Sequence, residues 1–392
     1  MIERNLSDEM IKVAGYYPVV TVVGPRQSGK TTLCRAVFPQ LSYVNMEQAD
    51  VREFATRDPR GFLAEHSAGA IIDEVQHVPD LLGYLQAEVD ERPEHGRFIL
   101  TGSQHLGLAR GVSQSLAGRT GVLQLLPPSL DELRRFPHPP ATLLETLWAG
   151  AYPRIHDRGV PSDRWLSDYE TTYLHRDVRD VLAVADLSAF SRFVRLCAGR
   201  TGQVVNLSAL GSDAGVSHNT ARAWLSVLET TFLVVVVPAW HRNLKKQLTR
   251  APKLHFLDSG LACHLLGIRS TNDLAHHPLR GAIFESWVAS EALKARVHRG
   301  LPPAMHHFRD HKGLEVDLVL DLGARVGLTE VKAGATVSGE HLAPLRRVGA
   351  LVTTADPATE VMLRLVHGGG ETFRREGVHV VPWSAVDSVS WN

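Results

Sequence analysis

The sequence predicts an α/β protein whose first domain contains a parallel β-sheet. Over segment 1–128, short apolar runs alternate with helical stretches; the chain then becomes mostly helical, and a second group of strands follows toward the C terminus. Continuous apolar runs separated by helical segments are typical of a parallel sheet that is covered on both faces. The fold class predicted from these observations is therefore α/β, with a helical middle region and a C-terminal α/β domain.

The chain divides into four predicted segments along its 392 residues. Segment 1–128 holds the parallel sheet, and the mostly helical segment 129–186 is interpreted as a lid. Segment 187–278 has helices followed by the apolar run FLVVVV, and segment 279–392 is predicted to be a second α/β unit. At roughly 150 residues per domain, this length fits two or three domains, each with a core of its own.

Five apolar runs predict the strands of the first sheet. They are VVTVVG (19–24), YVNM (43–46), AIIDEV (70–75), RFILTGS (97–103) and GVLQLLP (121–127). In segment 279–392, the run GAIFESWVASEALKARV predicts a helix, and AMHHFR, EVDLVLDL and RVGLTEVKA predict strands. A further helix and a final strand, HVVPW, complete the second unit.

The composition excludes several classes of protein. Hydrophobic residues make up 44% of the chain, and 42 Lys and Arg balance 42 Asp and Glu, which argues against a disordered tail. Cys34, Cys197 and Cys263 form no C-x-x-C pair, so a zinc ribbon, a redox motif and a disulfide scaffold are not expected. The N terminus has no signal-peptide pattern, and the longest apolar run, 232–240, is too short to span a bilayer. We therefore expect a cytoplasmic protein without a membrane partner.

The neutral average conceals two charged regions. Segment 41–100 has 12 acidic and 5 basic residues, whereas segment 191–255 has 9 basic and 2 acidic residues. A local basic surface can bind a polyanion although the whole chain is neutral. On charge alone, a solvated basic face that balances an acidic one is the simpler interpretation.

A glycine-rich loop follows the first strand. The sequence GPRQSGKT fits G-x-x-x-x-G-K-[ST], with strand VVTVV before it and helix TTLCRAVF after it. In such a P-loop, backbone N–H groups surround a phosphate at a helix N terminus. An ordinary glycine-rich turn between a strand and a helix is the alternative. The predicted nucleotide-binding residues are Gly24, Pro25, Arg26, Gln27, Ser28, Gly29, Lys30, Thr31 and Thr32.

Two carboxylates end the third apolar run and complete the predicted site. Lys30 supplies positive charge to the phosphates, Thr31 and Asp73 hold Mg²⁺, and Glu74 orients or deprotonates the attacking water. A buried strand that ends in two carboxylates is costly unless they are paired or bound to metal, although solvated loop acids are the alternative. The predicted cofactors are ATP and Mg²⁺, and the predicted activity is ATP hydrolysis.

Two further residues are candidates for roles in hydrolysis. Ser103 ends the strand FILTGS and is a candidate sensor of the γ-phosphate or the water, with a plain turn as the alternative. Arg119 precedes the fifth strand and is a candidate arginine finger that reaches a neighbouring subunit. A surface arginine, or one that pairs with the acidic region 41–100, is the equal alternative for Arg119.

The order of these motifs resembles a known family. GPRQSGKTTL, AIIDEVQHVPDLL, FILTGSQ, SLAGR, GAYPR and YLHRDVRDVL are similar to motifs of AAA+-type ATP-binding proteins of bacteria and archaea that carry a C-terminal domain of unknown function. FRDHKGLEVDLVL and LTEVKA match that C-terminal domain, so the resemblance spans nearly the whole chain. It implies a P-loop AAA+ ATPase core with sheet order 5-1-4-3-2, assembly into a ring or another homo-oligomer, and a C-terminal restriction-endonuclease-like fold.

The middle region contains a predicted DNA-binding element. Segment 206–220 indicates a helix, a glycine-containing turn and a second helix, and the strand FLVVVV with the basic stretch after it completes a winged helix. The second helix of such a motif offers its N-terminal side chains to the major groove. A winged helix that serves only in subunit packing is the alternative. The candidate DNA-binding residues are Ser217, His218, Asn219, Thr220, Arg222, Lys245, Lys246 and Arg250.

The C-terminal unit carries a candidate second metal site. Asp317 lies on one predicted strand, and Glu330 and Lys332 share one face of another because side chains alternate along a strand. Asp317 and Glu330 are candidate metal ligands, Lys332 is placed to position water, and Glu285 is an added ligand. This D…E-x-K pattern also occurs in ordinary strands, so an inactive DNA-contacting or oligomerisation domain is the alternative.

The sequence therefore predicts an oligomeric ATPase that binds and remodels DNA. Branched or Holliday-junction DNA is one candidate substrate, because the nuclease-like fold is related to junction-cutting enzymes. The two alternatives are a nucleotide-switched regulator that binds a protein partner and a metal-dependent nuclease or defence protein.

Overall fold

The computed structural model describes residues 2–103, 115–174, 186–241 and 250–392. The chain forms two compact units. The first comprises 1–128 with the short segments 230–232 and 297–301, and the second comprises 129–229, 233–296 and 302–392. Among the helices of the described ranges, none has both the length and the apolar character needed to cross a bilayer.

The first unit contains a five-stranded parallel sheet with helices between its strands. The sheet order is β2-β3-β4-β1-β5, the order that the family resemblance implies. Its strands are β1 (Val19–Val23), β2 (Ser42–Asn45), β3 (Ala70–Asp73), β4 (Phe98–Gly102) and β5 (Thr120–Gln124). The helices are α1 (Ser7–Ala14), α2 (Lys30–Val37), α3 (Ala49–Arg57), α4 (Pro59–Glu65) and α5 (Leu81–Glu91), and a short 3₁₀ helix spans Val75–His77.

Complete burial of the central strands explains their continuous apolar sequences. All five residues of β1 and all five of β4 are buried, as are the four of β3. The core includes side chains of both strands and helices, among them Met10, Val20, Leu33 and Ile99. The parallel register aligns the carboxyl ends of β1 and β4, since Val23 pairs with Gly102. The residues that follow these strands therefore gather at one edge of the sheet.

The second unit begins with a helical region. Its helices are α6 (Leu130–Leu133), α7 (Leu143–Ala149), α8 (Pro153–Arg158) and α9 (Ser162–Tyr169), followed by a π-helical stretch at Glu170–Leu174. Tyr152, Trp165 and Tyr169 form an aromatic cluster with ring centroids 4.5–5.1 Å apart. These rings belong to an apolar core that continues into the helices from Leu187 onward.

Three helices and a small antiparallel sheet follow in the second unit. The helices are α10 (Leu187–Ala198), α11 (Leu207–Ala214) and α12 (His218–Thr230), and the strands are β6 (Gln203–Val204), β7 (Val234–Val237) and β8 (Lys253–Phe256). The sheet order is β6-β8-β7. Asn206 caps α11 by accepting a hydrogen bond of 3.1 Å from the backbone N–H of Ala209. Helices α13 (Ser259–Leu265) and α14 (Thr271–His276) come next.

The C-terminal part contains a six-stranded mixed sheet of order β13-β14-β12-β11-β10-β9. Helix α15 (Arg280–Val297) precedes it, and α16 (Gly339–Ala355) lies between β11 and β12 in the chain. The strands are β9 (Met305–Arg309), β10 (Glu315–Asp321), β11 (Arg325–Lys332), β12 (Glu360–His367), β13 (Phe373–Arg375) and β14 (Val378–Pro382). Strands β12 and β13 are not among those predicted. Side chains of α16 pack on the sheet through a core that includes Leu345 and Val348.

Candidate functional site

The glycine-rich loop lies between β1 and α2 and approaches the end of β5 closely. A Cβ atom on Gly24 would lie 2.0 Å from the carbonyl oxygen of Leu125, so only glycine fits there. Gln27 and Gly29 have φ angles of 63° and 96°, in the left-handed region. These backbone angles turn the loop around the N terminus of α2, where helical N–H groups favour an anion.

The Lys30 ammonium is held inside this loop. Its Nζ donates hydrogen bonds of 2.9 Å to the carbonyl oxygen of Gly24 and 3.0 Å to that of Pro25. Burial lowers the pKa of Lys30, while the nearby carboxylates of Glu74 and Asp73 oppose this effect. The loop therefore places a buried cation where the sequence motif predicts contact with phosphates.

A second buried donor and an arginine complete the loop. The Ser28 hydroxyl is buried and has no hydrogen-bond partner among the described residues. Its backbone carbonyl accepts a hydrogen bond of 2.8 Å from Arg4 Nη1, and Arg4 Nη2 donates to the carbonyl of Leu126 at 2.8 Å. A buried hydroxyl without a partner next to a buried lysine suits a phosphate group, which accepts several hydrogen bonds. Sequence reasoning missed Arg4, since no motif connects it with the loop.

Asp73 lies at the end of β3 and accepts three hydrogen bonds from hydroxyl groups. Its Oδ2 atom accepts from Thr31 Oγ1 at 2.9 Å and from the Tyr43 hydroxyl at 2.8 Å. Its Oδ1 atom accepts from Thr101 Oγ1. A carboxylate beside the Thr31 hydroxyl is the oxygen-rich donor set that Mg²⁺ prefers. Tyr43 and Thr101 were not predicted, although both belong to predicted strand sequences.

Glu74 follows β3 directly, and its side chain has different partners from that of Asp73. Its φ angle is 54°, a left-handed conformation that is rare for a residue with a side chain and is concentrated at functional sites. The carboxylate accepts hydrogen bonds from the Gln76 amide and, at 3.3 Å, from the Ser103 hydroxyl. Burial raises the pKa of Glu74, but Lys30, Gln76 and the other donors outweigh it and lower the pKa overall. Glu74 is therefore held ionised.

The structure brings together Lys30, Thr31, Asp73, Glu74 and Ser103 at the carboxyl edge of the sheet. Among the other predicted loop residues, Arg26 forms an ion pair of 3.5 Å with Glu47, and Thr32 is exposed on α2. Gln76 was not predicted as a site residue. Its position two residues after Glu74 could have indicated a contact between the two side chains.

Arg119 does not join this group in the structure. Its guanidinium forms two hydrogen bonds, of 2.5 and 2.9 Å, with the carboxylate of Asp90 on α5. Asp90 belongs to the acidic segment 41–100, so this contact corresponds to the alternative interpretation of Arg119. Its role as an arginine finger stays a prediction.

The candidate DNA-binding residues at the start of α12 are accessible. Ser217, His218, Asn219 and Arg222 are exposed, and Thr220 is half-buried. Ser217 Oγ accepts a hydrogen bond of 3.1 Å from the backbone N–H of Thr220 and so caps the start of the helix. Arg250 is exposed. Lys245 and Lys246 lie outside the described residues.

The acids predicted to form a second metal site do cluster, but a lysine lies among them. Lys253 Nζ is 2.8 Å from Glu285 Oε1, 2.6 Å from Glu315 Oε1 and 3.4 Å from Asp317 Oδ1. Across the described residues, no group of three or more His, Cys, Asp or Glu side chains has the arrangement of a metal site. The predicted set lacked Lys253 and Glu315.

Glu330 and Lys332 complete this cluster. Lys332 Nζ is 2.6 Å from Glu330 Oε1, and the backbone N–H of Val331 donates to Asp317 Oδ2 at 2.9 Å. Burial and the neighbouring Asp317 carboxylate raise the pKa of both Glu285 and Glu330. Glu285 and Glu330 therefore ionise less readily than free carboxyl groups, although Lys253 and Lys332 oppose this effect.

Comparison with family models divides the chain into three matched regions. An AAA domain matches residues 16–134, and a domain of unknown function (DUF8612) matches residues 141–272. A second domain of unknown function (DUF4143) matches residues 280–386. The chain thus joins an AAA domain to a C-terminal domain of the kind that the sequence resemblance implies.

The proteins to which the chain is similar include two curated relatives and two solved structures. The uncharacterized proteins Rv2008c of Mycobacterium tuberculosis and Mb2031c of Mycobacterium bovis are each 31% identical over 82% of this chain and 71% of their own length. The Walker-type ATPase PABY2304 of Pyrococcus abyssi is 14% identical over 68% of this chain and 96% of its own, with a TM-score of 0.45. The AMPPCP-bound DnaA of Aquifex aeolicus is 14% identical over 57% of this chain and 85% of its own, with a TM-score of 0.31.

Proposed function

The chain belongs to the same family as the mycobacterial proteins Rv2008c and Mb2031c and has an AAA-type ATPase domain, from which we propose that it is a magnesium-dependent ATPase. One observation carries this proposal. The consecutive acids Asp73 and Glu74 have different partners, because Asp73 accepts from Thr31 of the P-loop whereas Glu74 accepts from Ser103 and Gln76. This separation gives each acid its own role.

Asp73 and Thr31 would hold Mg²⁺, and Lys30 with the Ser28 hydroxyl would hold the phosphates of ATP. When bound, Mg²⁺ neutralises negative charge on the phosphate oxygens. Lys30 Nζ donates to the carbonyl oxygens of Gly24 and Pro25 in the loop, and it would exchange these contacts for a phosphate. The Thr31 hydroxyl and the Asp73 carboxylate are oriented by each other.

Glu74 would orient a water molecule and accept its proton. This role requires an ionised carboxylate, and the lowered pKa of Glu74 supplies one. The hydrogen bonds from Ser103 and Gln76 fix the direction of the side chain. Ser103 would therefore act as a positioning residue for Glu74, which refines its predicted role as a sensor.

Separate measurements of nucleotide binding and turnover test this assignment. Lys30→Ala should abolish tight binding of a fluorescent ATP analogue, because the loop loses its cation. Glu74→Gln should bind the analogue as the wild type does and should accumulate bound, unhydrolysed ATP. Loss of binding in Glu74→Gln, or normal binding in Lys30→Ala, would contradict the division of roles.

We further propose that segment 187–278 is a winged helix that binds DNA. The order of α10, β6, α11, α12, β7 and β8, with the sheet order β6-β8-β7, supports this fold. The exposed polar side chains at the start of α12 support a nucleic-acid surface, because recognition helices contact bases with their N-terminal residues. Arg222 supplies a positive charge on this face. ATP hydrolysis in a homo-oligomer would then drive the remodelling of DNA, with branched or Holliday-junction DNA as the first candidate.

For segment 279–392 we propose a restriction-endonuclease-like fold. The order of helix α15, strands β9 to β11, helix α16 and strand β12 supports it, and so does the position of Asp317, Glu330 and Lys332 on adjacent strands. A nucleotide-switched regulator of a protein partner is the main alternative for the whole chain.

Stimulation of hydrolysis by nucleic acid distinguishes these functions. ATPase rates are measured with single-stranded, duplex and four-way DNA at equal nucleotide concentration. A DNA remodeller should hydrolyse ATP faster with at least one of them. Rates that are independent of all three DNA forms would favour the regulator, and metal-dependent shortening of the DNA would favour the nuclease.

A further inference from the structure

Lys253 is a buried cation that reaches the C-terminal acids from β8. Its side chain is 2% exposed and lies within ion-pair distance of three carboxylates, those of Glu285, Glu315 and Asp317. Glu285 comes from α15, whereas Glu315 and Asp317 come from β10. A buried ammonium is costly unless several acceptors replace its water, and these three acids do so.

The surroundings of Lys253 are those of a bound cation. Hard divalent cations are held by several carboxylate oxygens. The three acids around Lys253 supply such oxygens from α15 and β10, although with the ammonium between them they do not have the arrangement of a metal site. A second observation points in the same direction. The side chain of Glu330 is only 9% exposed. Its Oε2 atom is buried and has no hydrogen-bond partner among the described residues. The cluster can therefore accept more positive charge than Lys253 and Lys332 supply.

We propose that Lys253 is a tethered cation that takes the place of a divalent metal ion among Glu285, Glu315, Asp317 and Glu330. Lys253 belongs to β8, and this strand holds the ammonium among the acids. The C-terminal cluster therefore takes up a metal ion only when the Lys253 ammonium loses its charge or moves away. This inference does not depend on ATP hydrolysis, because the cluster lies wholly within the second unit.

The test measures binding of Mn²⁺ alone to the nucleotide-free, full-length chain by equilibrium dialysis and electron paramagnetic resonance. Lys253→Met keeps the length of the side chain and removes its charge, and it should bind about one Mn²⁺ per chain more than the wild type. Lys253→Arg retains the charge and should bind as the wild type does. Any Mn²⁺ at Asp73 contributes equally to all variants and cancels in the comparison.

Lys294→Met is the matched control. Lys294 is also buried and forms an ion pair of 2.8 Å with the buried acid Glu291, but it is not one of the cluster residues. This variant should gain no Mn²⁺. Equal Mn²⁺ binding by Lys253→Met and the wild type would overturn the proposal. Mn²⁺ bound by the wild type and lost in Asp317→Asn would overturn it as well, because Lys253 would then not exclude the metal.

A charge-balanced variant keeps the test decisive if Lys253→Met does not fold. The double variant Lys253→Met with Glu285→Gln removes one positive and one negative charge and retains three carboxylates. It should fold, as measured by circular dichroism, and should bind additional Mn²⁺ that raises its melting temperature. A folded double variant that binds no additional Mn²⁺ would overturn the proposal.

Discussion

The Tyr43 hydroxyl donates a hydrogen bond of 2.8 Å to Asp73 Oδ2, the oxygen that also accepts from Thr31. Tyr43 lies on β2, which pairs with β3 in parallel register. The neighbouring strand thus orients the carboxylate proposed to hold Mg²⁺. Asp73 is fixed from its own sheet on one side and from the P-loop on the other.

Tyr43→Phe should raise the Mg²⁺ concentration needed for half-maximal ATPase activity, because Asp73 loses one of its orienting donors. The variant should also lose about 1 kcal/mol of stability, the typical net value of a hydrogen bond. Tyr16→Phe makes the same chemical change at an exposed position and should alter neither quantity. An unchanged Mg²⁺ requirement in Tyr43→Phe would show that this contact does not orient the metal ligand.

Removal of Ser103 or Gln76 should move the acid limb of the ATPase pH profile to higher pH. Both residues donate to the ionised carboxylate of Glu74 and help to lower its pKa, so their loss raises it. The wild-type activity should therefore persist below the pH at which Ser103→Ala and Gln76→Ala decline. The measurement is kcat/KM for ATP across the acidic pH range. If the acid limbs of both variants coincide with that of the wild type, the prediction is wrong.

The same shift has a consequence for stability. A carboxyl whose pKa is lower in the folded state contributes stability above its unfolded pKa and loses it as the pH falls through the folded value. Glu74→Gln should therefore flatten the decline in melting temperature at acidic pH. An unchanged pH dependence of melting would show that the Glu74 contacts contribute nothing to folding.

Arg119 should be required for hydrolysis if it serves as an arginine finger for a neighbouring subunit. Arg119→Ala should then lower turnover by about 10³-fold, whereas Asp90→Asn should leave turnover intact or increase it, because it releases the guanidinium. The exposed pair contributes little stability, so both variants should melt as the wild type does. If Arg119→Ala hydrolyses ATP as fast as the wild type, Arg119 is not an arginine finger and its role is limited to the ion pair with Asp90.

Mixing two inactive variants tests the subunit arrangement. A mixture of Arg119→Ala protein and Glu74→Gln protein should regain some ATPase activity. At some interfaces between the two variants, an intact Glu74 of one subunit meets an intact Arg119 of the other. The specific activity of the wild type should also rise with protein concentration. Activity that is independent of concentration, without recovery on mixing, would rule out a site shared between subunits.

Charge reversal at Lys245 and Lys246 should weaken binding to all DNA sequences alike. If both lysines contact phosphates, the slope of log K against log salt should fall by about 2 in magnitude. Arg60→Glu reverses an exposed charge in the first unit and is the control. Arg222→Ala and Asn219→Ala should change sequence preference only if these side chains read bases. An unchanged salt slope would count against the winged-helix role.

The parallel sheet was predictable from local sequence, and so was the proximity of the central residues of the candidate nucleotide site. Buried strands produce continuous apolar runs, and Lys30, Thr31, Asp73 and Glu74 follow such runs directly. Arg4 and Tyr43 could not be identified in this way. Their partners are distant in the chain, and a long-range hydrogen bond leaves no periodic signal in the sequence.

Strand β12 and Lys253 illustrate the same limit in the second unit. Arg364 interrupts the apolar run of β12, yet it is buried, because its guanidinium stacks over the Trp391 ring at 4.5 Å and donates to the Ser390 carbonyl. A buried charge whose partner comes from the end of the chain cannot be distinguished from a surface charge by pattern alone. For the same reason, Lys253 was counted as part of a basic surface, although it is enclosed by acids from α15 and β10.

Phosphate release from ATP by purified wild type, Glu74→Gln and Glu91→Gln tests the central claim most directly. Glu91 is exposed at the end of α5 and supplies the same chemical change away from the site. The wild type and Glu91→Gln should release phosphate at equal rates in the presence of Mg²⁺, and Glu74→Gln should be slower by about 100-fold or more. Equal rates in the wild type and Glu74→Gln would contradict the assignment of this site as the ATPase centre.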